Sequence, residues 1–405
     1  MAKKTIAAVD VRSKRVLMRV DFNVPIEDGV ITDDRRIREA LPTIKSIVDR
    51  GGKVILMSHL GRPEGKGYQA EFSLKIAADK LSQLLGKPVS FPSTDCTDEK
   101  SAGAIAAMKD GDVLLLENVR FQPGEKKGEI GYCTRLASYG DVYVNDAFGT
   151  SHRAEGSMVG VPKQMAVGGT AKPRVMGFLV EKEMKYLQNA IASPAKPFVL
   201  VLGGAKVSDK LACVENLMPK ADMIMIGGAM AYTFLAALGK KVGNSRVEQD
   251  RIADAKKIID HAARSKCELL LPVDHVCSTD FREDAGDIEV FDDQIKDGFM
   301  GLDIGPKTQT KYALALHKAK TIVWNGPMGV FEWAPFATGT QQVAKAIAQA
   351  TKNGATSIVG GGDSAAAVEK FNLASGMSHV STGGGASLEL LEGKQFESIA
   401  LLDEA

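Results

Sequence analysis

The sequence predicts an α/β protein built as two doubly wound domains with parallel sheets, joined by a connecting helix. Three observations predict it. Short Val/Ile/Leu-rich runs alternate with longer helical patterns along the whole chain, and near-continuous apolar runs suit strands buried on both faces between layers of helix. A length of 405 residues with 44% apolar content allows two sizeable cores, or three. Near the middle, Val180, Met184, Leu187 and Ile191 recur at helical spacing between Pro173 and the pair Pro194 and Pro197, which places a helix there and a domain boundary near residue 173.

Taken in order, the strands expected in the first half are 16–20, 54–57, 113–116 and 142–144. Those in the second half are 198–202, 223–226, 268–273, 321–324, 357–359 and a weak one near His379. Ligands in open α/β sheets bind beyond the carboxyl ends of the strands, so the residues just after each run carry the information. The two halves differ there. The first half offers DFN from Asp21, SHLGRP from Ser58, ENVRF from Glu117 and NDAFGTSHR from Asn145, each with His, Arg, Asn or Asp. The second offers GGAKVSDK from Gly203, GGAM from Gly227, NGPMGVFE from Asn325, GGGDS from Gly360 and STGGG from Ser381. One half is composed to grip a compact anion with side chains, the other to cradle phosphates with backbone.

Composition excludes several classes. Lys plus Arg is 51 against 50 for Asp plus Glu, a net charge of +1, so nothing global points to nucleic acid or a membrane surface. Cys96, Cys133, Cys213, Cys267 and Cys277 are widely spaced and contain no C-x-x-C pair, which argues against a disulfide framework or a zinc site. The N-terminal residues lack an apolar region of signal-peptide length, and the longest uncharged run, Met223 to Gly239, is too short for a bilayer span. A reducing cytosol is the expected compartment.

Arg62, Arg120 and Arg153, with Arg36 from DDRRIREA, project from loops on one rim. Guanidinium forks match two acceptor oxygens and keep their charge, so four of them imply a small, multiply charged acid. Any one of them alone reads more readily as a solvated surface residue; their placement on separate strand-end loops favours the joint reading. His59 and His152 share those loops as hydrogen-bond donors, and Asp21 and Asn23 can hold a hydroxyl or form a turn. Lys206 and Lys210, four apart after Gly203 and Gly204, are expected on the first turns of a helix with both ammonium groups on one face, facing either solvent or a phosphoryl group in transit. The stretch from Thr356 to Lys394 passes twice from an apolar run through three glycines into a helical pattern. Each such turn is an ordinary tight turn or an anion site; two together suggest a polyphosphate, and Asp363 with Ser364 marks where Mg²⁺ would be held. Glu332 can accept from ribose hydroxyls. No G-x-x-x-x-G-K-[ST] and no G-x-G-x-x-G occurs, which removes the P-loop and nicotinamide readings.

With these residues in view the chain resembles the phosphoglycerate kinases. The motifs that carry the resemblance run in order through the chain: RVLMRVDFNVPIEDGVITDDRRIREALPTI, SHLGRP, LLLENVRF, DAFGTSHRA, FLVEKEM, LGGAKVSDK, GLDIGP, WNGPMGVFE, GGGDSAAAVEK and STGGGASLELLEGK. The resemblance implies two Rossmann-like domains, residues 1–173 for 3-phosphoglycerate and 194–391 for nucleotide. It also implies an interdomain helix over 174–193 with a hinge, and a tail over 392–405 returning to the first domain. It implies that Asp21, Asn23, Arg36, His59, Arg62, Arg120 and Arg153 bind 3-phosphoglycerate. Gly203, Lys206, Lys210, Gly227, Asn325, Glu332, Gly361, Gly362, Asp363 and Ser364 are implied to bind ATP or ADP, with Asp363 at the Mg²⁺. Arg36, Lys206, Gly361 and Gly384 are implied to stabilise the phosphoryl group in transit. Glu155 stands where the family often has a histidine or glutamine.

The reaction implied is 1,3-bisphosphoglycerate plus MgADP giving 3-phosphoglycerate plus MgATP, in a cytoplasmic enzyme expected to be a monomer and to close about a hinge. A carboxylate acceptor needs no general base, in keeping with the absence of any Ser-His-Asp or Cys-His arrangement. A non-catalytic two-domain binder of small anions is the alternative; it leaves the glycine clusters of the second half without a purpose.

Overall fold

The computed structural model describes residues 2–167, 171–284 and 286–405, except for the side chains of residues 189–191. Ile191 of the helical stripe therefore lies outside the described residues. The chain forms two compact units. The N-terminal unit extends to Met184 and includes Gln395–Ala405; the C-terminal unit spans Lys185–Lys394.

In the N-terminal unit the strands are β1 (Arg15–Val20), a small hairpin of β2 (Ile26–Glu27) and β3 (Val30–Ile31), β4 (Lys53–Met57), β5 (Val89–Ser90), β6 (Val113–Leu115), β7 (Val142–Asp146) and β8 (Arg174–Met176). Six of them form one sheet in the order β5-β6-β4-β1-β7-β8, with every pair parallel. The apolar runs that announced β1 and β4 are central because both faces are covered: Val16, Met18, Val54 and Leu56 are fully buried. Helix Arg35–Asp49 lays Ile37, Ile44 and Ile47 on this sheet, the i, i+7, i+10 stripe of an amphipathic helix.

The C-terminal unit contains β9 (Phe198–Leu202), β10 (Met223–Ile226), β11 (Glu268–Leu270), β12 (His275–Ser278), β13 (Ile288–Phe291), β14 (Met300–Ile304), β15 (Thr321–Asn325), β16 (Thr356–Gly360) and β17 (His379–Val380). A parallel six-stranded sheet runs β11-β10-β9-β15-β16-β17. Trp324 lies fully buried in its core, and Tyr312 ties two strand ends by donating to Ile226 O at 2.6 Å and Leu270 O at 3.1 Å.

The fold class is the α/β arrangement read from the sequence, with one addition. Strands β13, β12 and β14 form a separate antiparallel sheet, and the strand expected over 268–273 stops at Leu270. Asp274 ends it: its carboxylate accepts from Lys307 N and Thr308 N at 2.8 Å each, capping helix Pro306–Leu316 and turning the chain into β12. Strand β13 gave little signal because three of its four residues are exposed.

Helix Phe178–Ala192 starts from a fixed point. Asp146, the last residue of β7, accepts from Leu179 N at 2.9 Å and Val180 N at 3.3 Å, and Thr43 Oγ1 accepts from Phe178 N at 2.9 Å, so the first orphan donors of the helix are satisfied by the N-terminal unit's own side chains. The C-terminal segment is held there as well. Asp403 pairs with Arg174 at 2.6 Å, and buried Ser398 Oγ donates to Ser151 O at 2.6 Å.

Candidate functional site

The parallel order of the N-terminal sheet brings the carboxyl ends of β1, β4, β6 and β7 to one edge, and the loops after the first three are locked to one another by bonds between side chains and backbone. Gly61 N donates to Asn23 Oδ1 at 2.8 Å, which joins the loops after β1 and β4. Asn118 Nδ2 donates to Leu60 O at 2.8 Å and to Phe72 O at 2.9 Å, and Arg120 Nη1 donates to Gly61 O at 3.0 Å, which adds the loop after β6. Gly61 can serve because its φ is +66°, a conformation that costs glycine nothing.

On this frame the structure gathers His59 with Arg36, Arg120 and Arg153. All three guanidinium charges, together with that of buried Arg19, act on the His59 ring; burial first, then these charges, hold it well below the usual imidazole range. The ring is therefore neutral at neutral pH. Arg36 Nη1 pairs with Asp21 Oδ2 at 2.9 Å and stays a third exposed. Arg62 is exposed on the same loop as His59, with no ion pair among the described residues. His152 is half-buried, its ring packed 6.4 Å from Phe396 of the C-terminal segment.

Glu155 contributes what the sequence did not disclose. Its Oε1 accepts from Arg120 Nη2 at 2.6 Å and stands 3.6 Å from Arg153 Nη1, so one buried carboxylate spaces two guanidiniums that would otherwise repel each other. The signals were its place two residues after Arg153 and its departure from the residue that the family often has there. Arg19, inside β1, was also missed, because a charged residue within an apolar strand reads as an interruption.

In the C-terminal unit two adjoining cavities share Gly204, Ala205 and Asp363. The smaller, about 290 Å³, is walled by Lys206, Lys210, Asn325, the Gly361–Gly362 turn and Gly384. The larger, about 630 Å³, has mostly apolar walls that include Gly228, Leu302, Val330, Trp333 and Phe281, with Glu332, Asn244 and Arg246 as polar members. The first suits phosphates and the second a flat base with its sugar.

The glycines here are required by close approach. A Cβ on Gly203 would stand 2.0 Å from Pro327 O, and one on Gly326 would stand 2.2 Å from Gly203 O, so the loops after β9 and β15 pack backbone on backbone. Ser364 Oγ accepts from Gly326 N at 2.6 Å and fastens the loop after β16 to the same place. Accepting there leaves the hydroxyl proton available to donate. Helix Gly362–Lys370 begins beside it, and its first N–H groups have no partner within the helix. Asn325 Oδ1 accepts from Lys210 Nζ, while buried Asn325 Nδ2 has no hydrogen-bond partner among the described residues. Burial lowers the Lys210 ammonium from its ordinary value, with the charge of Asp363 among those that oppose the shift.

Two expectations need correction. Lys206 and Lys210 do not share a helix face, since the helix starts only at Leu211. Glu248 takes the N–H of Ser208 at 3.1 Å and its hydroxyl at 2.8 Å, which holds 206–210 as a loop with Lys206 exposed and Lys210 half-buried. Of the two glycines after β10, Gly228 and not Gly227 lines the cavity; a Cβ on Gly227 would meet Met328 Sδ at 2.4 Å, so its role is packing.

Mg²⁺ fits this donor set in one way. No cluster of three or more His, Cys, Asp or Glu able to hold a metal exists among the described residues, but exposed Asp363 opens the helix beside the smaller cavity. A cation of this kind is held by one or two carboxylates together with substrate phosphates.

Comparison with known proteins agrees over the whole chain. The phosphoglycerate kinase family model matches residues 6–394. A phosphoglycerate kinase of Rhodopirellula baltica is 54% identical over 408 residues, covering 100% of both chains. That of Fervidobacterium nodosum is 53% identical over 403 residues, covering 99% of this chain and 98% of its own. The solved structure of phosphoglycerate kinase from Coxiella burnetii superposes with a TM-score of 0.87 at 40% identity, over 98% of each chain. With both half-sites built on its strand ends, the chain belongs to the phosphoglycerate kinase family.

Proposed function

We propose that the two half-sites divide the family's reaction between them, the reversible transfer of a phosphoryl group from the acyl phosphate of 1,3-bisphosphoglycerate to ADP. Asp21, Asn23, Arg36, His59, Arg62, Arg120 and Arg153 bind the phosphoglycerate. Gly203, Lys206, Lys210, Asn325, Glu332, Gly361, Gly362, Asp363 and Ser364 bind the nucleotide, with Gly227 backing the wall that Gly228 forms. The observation that carries this reading is the gathering of three guanidinium charges around a neutral His59, an arrangement that has no use without a multiply charged anion.

The acceptor in the reverse direction is a carboxylate of pKa about 3.5, already ionised at neutral pH, so no residue has to remove a proton. The residues' work is to orient two anions and to offset charge on the group in flight, the part assigned to Arg36, Lys206, Gly361 and Gly384. Mg²⁺, held by Asp363 and the nucleotide phosphates, supplies further positive charge there. Since the reactants bind on separate units, small-angle scattering is expected to change when both substrates are present. We place the protein in the cytosol as a monomer. The five cysteines are free and buried, and no described helix is long and apolar enough to cross a membrane.

The test is ATP-dependent consumption of 3-phosphoglycerate by the pure, folded protein in a coupled assay; no turnover would sink the reading. Arg62→Ala is expected to raise KM for 3-phosphoglycerate by roughly ten-fold or more, the scale of a charge-assisted contact. Unaltered kinetics would remove Arg62 from the site.

A further inference from the structure

Behind the phosphoglycerate half-site, and ending at His59, lies a chain of buried polar groups whose other members the proposed reaction does not use. Glu125, Ser157 and Arg19 have no exposure and His59 has 1%. Glu125 Oε1 accepts from Ser157 Oγ at 2.6 Å and its Oε2 accepts from Ser157 N at 2.8 Å. Ser157 Oγ in turn accepts from Arg19 Nε at 2.9 Å, and Arg19 Nη2 lies 3.2 Å from His59 Nδ1. Ser157 is carried on the π-helical turn Gly156–Gly160, where a Cβ on Gly156 would already stand 3.0 Å from Glu125 Oε2.

We propose that Glu125, Ser157 and Arg19 are positioning residues that fix His59 as its Nε2–H tautomer, so that the ring meets the phosphoglycerate as a neutral donor. A guanidinium has only donors, so the nitrogen facing Arg19 must accept, and the single proton of a neutral imidazole is left on Nε2. The competing tautomer would need Nδ1–H to donate to Asp21 Oδ1, which is 3.9 Å away and already faces the Arg36 guanidinium through its partner oxygen. The groups acting on the ring from the surrounding elements are Arg19, Arg36, Arg120, Arg153 and Asp21. Four cations against one carboxylate oppose protonation, and Glu125 anchors the nearest cation from behind. A donor whose charge does not change keeps its contact with the anion constant across the neutral range.

This rests on the assignment of His59 to the phosphoglycerate site, and the test separates the two. The full chain without substrate, labelled with ¹⁵N-histidine, is followed by NMR from about pH 6 to 8. His59 is one of six histidines, identified by the signal missing from His59→Gln. It is expected to show one protonated Nε2 and one unprotonated Nδ1 throughout. Ser157→Ala frees Arg19 Nε and loosens the fork. The second tautomer should then appear, and KM for 3-phosphoglycerate should rise roughly three- to ten-fold with kcat little changed, the scale of one weakened hydrogen bond. A protonated Nδ1 or a tautomer mixture in the native chain overturns the proposal, as does Ser157→Ala leaving both tautomer and KM unchanged. Should Ser157→Ala fail to fold, the native spectrum still decides. An inactive native chain with the expected tautomer would count against the kinase reading and not against this one.

Discussion

Lys206→Ala is expected to lower kcat by roughly 10²- to 10³-fold, the loss seen when one preorganised charge or donor is taken from a transition state, while the midpoint of unfolding stays put. Lys206 is exposed in the loop after β9, with no ion pair among the described residues, so its removal leaves no group unsatisfied and shifts stability by no more than about 0.5 kcal/mol. Lys210 is a poorer test. It is half-buried and donates to Asn325 Oδ1, so its loss disturbs the cavity wall as well as the chemistry. Steady-state kinetics with both substrates saturating, beside a urea titration, decide the matter. A fall in KM affinity for ATP with kcat intact would make Lys206 a ground-state contact and strike it from the transfer step.

Between about pH 6.5 and about pH 4, His275 is expected to withdraw stability from the C-terminal unit, read as native chain against His275→Gln, because buried Asp303, pushed up to about 8, acts in the opposite sense across the same window. His275 is 1% exposed in β12 and its Nδ1 is buried without a hydrogen-bond partner among the described residues. Burial pulls it down to about 4, with Asp274 and Asp293 opposing. An unfolded histidine titrates near 6.5, so in this window the unfolded chain takes up a proton that the folded chain refuses. Stability is present above the window and is lost as pH falls through it. The shift corresponds to about 3 kcal/mol. Both tryptophans, Trp324 and Trp333, lie in this unit, so their fluorescence in urea at about pH 7.5 and about pH 4.5 reports it directly. The native chain should lose stability relative to His275→Gln as pH falls across this window; a gap that does not change with pH would remove His275 from the acid limb. His59, also held below its ordinary range, lies in the other unit, where these fluorophores do not report.

The legible part of the fold was its central strands. Val16, Val54, Val113 and Val142 stand in register across four parallel strands, and burial on both faces wrote them into the sequence as unbroken apolar runs. The edge strands of the N-terminal sheet left no such trace: β5 is two residues long and β8 three. The antiparallel trio escaped notice for the complementary reason that β13 turns most of its side chains to solvent. In the site, residues directly after strand ends were legible because open α/β sheets place ligands there. Supporting residues were not. Glu155, Arg19 and Glu248 act through contacts with partners 35, 40 and 40 positions away, and no local pattern encodes such a distance.

By itself, then, the sequence determined the fold class, the family and which residues follow the central strand ends, since each of these depends on the period of apolar residues or on which residues follow one another. Only the tertiary structure decided that Lys206 sits in a loop pinned by Glu248 instead of on a helix face, that Gly228 and not Gly227 faces the cavity, and that the His59 ring meets a guanidinium at Nδ1. Each of these turns on which buried donor finds which acceptor once the chain is packed.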